Sequence, residues 1–324
     1  MSDLPSAQWL ATITRFDPPK TIDPPPDWDR AVQVLARHGL GPIAGYNLAY
    51  RMPLADAPEF VKDVLLGYMQ GTSNDNVFRF VTLKAALGAL EVPTILLGGA
   101  AFVETLYPHV AFRPVPDLEL LVRAADLQRV IAAFAEERFY EVEPTEPDPD
   151  EPAAVLHNDR IFVRLFTRVA ADDREVPALF ARAQRAIGFG TSLQRLEAAD
   201  ALVVHALALA RRGFIVPLVQ IVDLREMVLG RSPIAHGSGP GTPLDPATVL
   251  ERARTLGAEK ALWAAMEILA HYHPEAAEPA QALQPPLGLP ARTLLRGAVV
   301  EPAFDFTRES QLKAMARLQK LLLG

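Results

Sequence analysis

The chain has 324 residues, half of them hydrophobic, and a formal net charge of −7 with 32 Lys and Arg against 39 Asp and Glu. That length and composition suit a globular protein with a well-buried core, and the charge is spread without a Lys/Arg cluster, which argues against a nucleic-acid partner. There is no cysteine, so disulfides, thiolate metal sites and cysteine nucleophiles are excluded and the cytoplasm is the expected compartment. No leader pattern and no apolar run of membrane-spanning length is seen, so no membrane partner is expected.

The first ~25 residues close on DPPKTIDPPPDW, whose prolines block regular hydrogen bonding and predict an extended arm. Helical periodicity begins at Trp28, where Ala31, Val34, Leu35 and Leu40 recur at spacings near three and four, with Asp27 as cap and Gly39 as stop. PEFVKDVLLGYMQ and NVFRFVTLKAALGALE predict further helices of a bundle.

After Glu91 the period changes. PTILLGG reads as a short strand ending in two glycines, AAFVETLYP as a helix, and DLELLV as a second strand. ADLQRVIAAFAEER predicts an amphipathic helix and FYEVEP a third strand, followed by EPTEPDPDEP as a solvated loop. AVLH and RIFVRLFT flank Asn158-Asp159 as a hairpin. From Leu193 the pattern predicts only helices, with PIAHGSGPGTPLDP as a flexible surface loop between two of them. The expected class is α+β. A small mixed sheet with helices (92–170) stands between an N-terminal arm and helical segment (1–91) and a C-terminal helical domain (171–324).

One strand poses a chemical question. In PVPDLELLV, Asp117 and Glu119 sit one residue apart and therefore on one face of the strand. Like charges this close repel, and a cation between them, above all a hard divalent ion, relieves the repulsion. Exposed strand faces also carry such pairs with no function, and paired glycines such as Gly98 and Gly99 also serve only as tight turns.

The run LGGAAFVETLYPHVAFRPVPDLELLV, with its two glycines, its Arg113-Pro114 pair and its Asp117-x-Glu119 strand, is similar to the signature of the nucleotidyltransferase superfamily that includes DNA polymerase beta. More closely, the chain resembles the uncharacterised nucleotidyltransferase family. DWDRAVQVLARHGLGPI is similar to that family's leading helix and DALVVHALALARRGFIVPLVQIVDLREMV to its helical tail. The resemblance implies transfer of a nucleotidyl group from a nucleoside triphosphate, ATP foremost, to a small-molecule or protein acceptor. Asp117 and Glu119 would be Mg2+ ligands, Gly98 and Gly99 would lie at the phosphates, and Arg113 would be a phosphate clamp or, on the plainer reading, a salt bridge to the strand.

The chain departs from that pattern at Gly98, where the closer family commonly has lysine although the wider superfamily accepts glycine, and more seriously on one strand. Where a third carboxylate is expected, in RIFVRLFTR, stands Arg164. A guanidinium ~5 Å from a divalent ion costs roughly 6–7 kcal/mol at an effective dielectric of ~20 before screening. Either Asp159 or a loop acid takes the third place, or one metal suffices, or Arg164 itself pairs with Asp117 and Glu119 in the metal's stead, which is electrostatically the easiest of the three; a catalytically silent nucleotide- or protein-binding module is the alternative to an enzyme. His205, Arg211, Arg212 and Asp223 match positions of the family's helical tail. They read either as a buried polar network joining two helices or as groups that hold phosphates. His271 and His273 point apart on a helix and predict a surface helix end more readily than a metal site.

Overall fold

A computed structural model describes residues 5–88, 92–143, 151–171, 173–186, 193–230, 244–299 and 322. Most of the acidic EPTEPDPDEP run and of the glycine-rich PIAHGSGPGTPLDP run lies outside the described residues. Seven strands form one mixed sheet: β1 (Thr94–Leu97), β2 (Asp117–Leu121), β3 (Tyr140–Glu141), β4 (Ala154–His157), β5 (Phe162–Phe166), β6 (Gln184–Arg185) and β7 (Leu193–Arg195). Their spatial order is β3-β4-β5-β2-β1-β7-β6. The α+β class holds. The purely helical reading of everything after Leu193 does not, because Leu193–Arg195 pairs in parallel with β1 and antiparallel with Gln184–Arg185.

The two faces of the sheet separate its side chains by the strand period of two. Leu96, Leu118, Leu120, Val163 and Leu165 point to one face, where Val130 and Phe134 of the helix Leu127–Glu136 and Leu83, Ala86 and Leu87 of a long helix cover them. Ile95, Leu97, Leu121 and Phe166 point to the other, against a larger core built from Trp9, Leu35, Leu65, Leu202, Val222 and Trp263 among others. Asp117, Glu119 and Arg164 have the same parity as this second set. They stand on the face that the helical segments enclose.

Local signals account for several elements. Asp27 caps the helix Trp28–Arg37 by accepting from the Arg30 amide at 3.1 Å, and Gly39 takes φ +69° as the chain leaves it. At the β4–β5 hairpin, Asn158 accepts from the Ile161 amide at 3.0 Å, and Asp159 adopts φ +66°.

Two expectations give way. The N-terminal stretch is not an extended arm throughout: Ala7–Ile13 is a helix capped by Ser6, and it buries Trp9, Leu10 and Ile13. Pro18 and Pro19 and the run Pro24 to Pro26 all lie beyond its C-terminal end, so they bar its extension without forbidding it. The two helices expected between Pro58 and Glu91 form one 30-residue helix, Glu59–Gly88, which runs unbroken through the polar GTSNDN.

Asn76 in that stretch is fully buried. It donates to the carbonyls of Val110 and Arg113 at 2.8 and 2.7 Å and accepts from the Val115 amide at 3.2 Å. One amide side chain thus holds the loop that delivers Arg113 and leads into β2, satisfying backbone groups that no strand or helix partners.

Candidate functional site

The site lies where β1 ends, β2 begins and β5 passes alongside. β2 and β5 are parallel and in a register that sets Glu119 opposite Arg164 and Asp117 opposite Phe162. Arg164 donates from Nη1 to Glu119 Oε1 at 2.9 Å, and the same nitrogen lies 3.7 Å from Asp117 Oδ2. The guanidinium is nearly buried, with a side-chain exposure of 7% against 28% for Asp117 and 22% for Glu119. Arg212 approaches the same Glu119 oxygen from the end of the helix Ala198–Arg211, at 3.9 Å. Arg164 thus lies against both acids and Arg212 near Glu119, a pairing that relieves the repulsion of two acids on one strand face.

The unequal distances make a prediction. Glu119→Gln removes the short charge-assisted bond and leaves Arg164 buried with a partner at 3.7 Å, so it costs about 1–3 kcal/mol of stability. Asp117→Asn, at the longer contact, costs no more than ~1 kcal/mol. Chemical denaturation of the two variants beside the parent measures the order, and a larger loss for Asp117→Asn contradicts it.

Gly98 and Gly99 open the helix Gly98–Thr105, and Gly98 has φ +54°. A Cβ on Gly98 would collide with Glu119 Oε2, and one on Gly99 with the Arg113 guanidinium. The close approach these glycines permit is thus made by the protein's own side chains. A carboxylate at the start of a helix also meets its partial positive charge.

Arg113 turns away from the strand acids. It forms a fork with Asp223 of the helix Val219–Leu229, Nη2 to Oδ2 at 2.7 Å and Nε to Oδ1 at 3.3 Å, and donates from Nη1 to the Pro114 carbonyl at 2.6 Å. The Tyr107 hydroxyl donates to Asp223 Oδ1 at 2.7 Å. Burial and the neighbouring carboxylate hold the Tyr107 hydroxyl well above its ordinary pKa, and Asp223 raises that of Arg113 against the effect of burial. The salt bridge expected of Arg113 exists, but to this distant helix and not to the strand.

The helical-tail residues divide. His205 contacts the Gln220 carbonyl at 2.9 Å, and because a carbonyl only accepts, Nε2 carries the proton. Burial lowers its pKa in spite of Asp223, so the ring is neutral near neutral pH. His205 and Asp223 thus tie helices together as a buried polar network, while Arg211 donates to the Val169 carbonyl and Arg212 reaches Glu119. His271 is exposed, but His273 is buried beside Arg225 and Glu275, with burial pulling its pKa down to about 4. The expected surface helix end is right for the first and wrong for the second, because the chain folds back through Pro274–Ala276 and covers it.

A cavity of about 190 Å³ opens in front of these groups. Arg113, Arg168, Arg195, Arg211 and Arg212 line it against Asp117 and Glu119, five cations to two anions. Adding Arg164, the Asp223 that pairs with Arg113 and the Glu151 that pairs with Arg168 makes six to four, an excess of two among the described residues. Leu97, Phe102, Phe166 and Val169 supply an apolar wall. Arg168 pairs with Glu151, and the Arg195 Nε is buried with no hydrogen-bond partner among the described residues. Arg168, Arg195, Tyr107 and Gln220 are members of the site that sequence reasoning missed. Only the bare occurrence of arginine hinted at any of them.

Magnesium requires near-octahedral oxygen ligation at ~2.0–2.1 Å. The space between Asp117 and Glu119 already holds a guanidinium, and no group of three or more His, Asp or Glu among the described residues could hold a metal ion. These residues do not fit the ion as they stand.

The chain belongs to the uncharacterised nucleotidyltransferase family, which matches residues 24–274. That span runs from the prolines before Trp28 to the turn after His273, so it leaves out the helix Ala7–Ile13 and takes in the helices from Trp28 onward, the whole sheet and most of the helical tail. No curated protein and no solved structure matches the chain. No helix among the described residues is long and apolar enough to cross a membrane.

Proposed function

We propose that this chain is a nucleotide-binding member of its family that holds a triphosphate by arginine and not through Mg2+, and that it performs no metal-dependent transfer. The observation that carries the reading is Arg164, placed between Asp117 and Glu119 where a divalent cation would have to sit. Arginine cannot give up its charge and bonds carboxylates directionally, so a guanidinium can serve as the cation that two neighbouring acids need. The excess of arginine in the cavity, Arg195 among it, complements a polyphosphate, and the apolar wall suits the flat face of a base. The cytoplasm, where triphosphates are abundant, is the compartment this reading places it in.

Membership of the family favours the other reading, transfer from a triphosphate to a protein or small-molecule acceptor with Asp117 and Glu119 as metal ligands. Calorimetric titration of ATP and the other triphosphates, with and without magnesium, separates the two. Binding that persists without magnesium, and that Arg195→Ala weakens, is the expected result. Affinity that rises steeply with magnesium would establish the transferase reading instead, and failure of every triphosphate to bind would remove the nucleotide altogether.

A further inference from the structure

The helix Glu59–Gly88 turns one face to the core through Val61, Leu65, Asn76 and Leu83, and at 100° per residue the opposite face carries a second periodic set. Phe60, Val64, Gly67, Gly71, Asn74, Phe78, Val81 and Ala85 recur at alternating spacings of four and three, the a/d pattern of a helix made to pack on another helix. All eight are exposed, and the large apolar ones heavily so, from 38% for Phe78 to 63% for Val81. Space around Gly67 and Gly71 is open. One side of Phe78 carries the Arg160 guanidinium at 4.1 Å, and the rest of the ring faces outward.

We infer that this face docks against the same face of a second copy of the chain, antiparallel, about a two-fold axis between Thr72 and Ser73. In that register each layer pairs a large side chain with a small one, or two of similar size. Phe60 meets Ala85 of the second copy, Val64 meets its Val81, Gly67 receives its Phe78, and Gly71 faces its Asn74. Flanking the layers, Asp63 falls beside Lys84 of the second copy, so opposite charges meet at both ends of the seam. A run of one sequence that complements its own reverse in both volume and charge is what an isologous interface requires.

The seam is roughly 40 Å long and one helix wide, on the order of 400–500 Å² per copy, about half of a standard stable interface. The dimer is therefore reversible, and the monomer is folded.

Sedimentation equilibrium through the micromolar range should show a monomer–dimer equilibrium. Val64→Glu and Val81→Glu should each abolish it, and both positions are exposed enough to leave folding intact. Asp63→Lys, which sets two lysines together at each end, should raise the dissociation constant about tenfold, and adding Lys84→Asp should restore it. Because the chain has no cysteine, a mixture of Val64→Cys and Val81→Cys chains should cross-link on oxidation while Val64→Cys alone does not. A monomer at every concentration would overturn the inference. So would a dimer indifferent to Val64→Glu and the charge swap, or cross-linking of Val64→Cys with itself.

Discussion

Asp223→Ala lowers stability by about 3–5 kcal/mol and the thermal midpoint by roughly 10 °C. Asp223 has no solvent exposure, and its partner Arg113 is nearly as deep. Removing the carboxylate takes away both arms of the fork and the acceptor of the Tyr107 hydroxyl, leaving a buried guanidinium that cannot neutralise itself. Asp223→Asn keeps an acceptor and loses less. The paired change Arg113→Met with Asp223→Leu regains much of the loss, because an apolar pair of similar volume has no desolvation penalty to offset. Differential scanning calorimetry on the four proteins decides the matter. A single alanine variant within a degree or two of the parent would mean that the fork contributes little.

Arg164→Asp produces a protein whose stability responds to magnesium where the parent's does not. Without the ion, three acids crowd one patch and the variant melts below the parent. With the ion at ~100 times its dissociation constant, binding to the folded state alone returns about 2.7 kcal/mol. Arg164→Ala separates the two effects, since it vacates the seat without supplying a ligand and should gain far less from magnesium. Equal magnesium stabilisation of parent and Arg164→Asp would show that the parent already binds the metal, and would reverse the reading of the site.

The contact between Arg164 and the acids spans 45 positions and was legible through the family resemblance, which expects a third acid where Arg164 stands. Asp117 and Glu119 declare their shared face by their spacing, and an arginine at the place of an expected acid supplies the cation they lack. The β4–β5 hairpin and the cap at Asp27 were legible for a plainer reason, each being written within a few residues. The Tyr107–Arg113–Asp223 cluster was not, since Asp223 is separated from the other two by more than a hundred positions and meets them only through tertiary packing. β7 escaped because three residues cannot establish a period, and its partner lies across the chain in β1. The helix Ala7–Ile13 was masked by the prolines beyond it, and the burial of His273 by a fold-back that no local pattern encodes.

The sheet order also governs how fast this protein can form. Thr94 pairs with Leu193, 99 positions later, and Asp117 with Phe162, 45 positions later. Loops of that size must close before either pairing returns any free energy, and chains dominated by such distant contacts fold slowly. The hairpin at Asn158-Asp159 can form early from neighbours. Arg195, borne on β7, reaches the cavity only after the longest of these closures, so refolding followed by a ligand at the cavity should lag behind refolding followed by helix content.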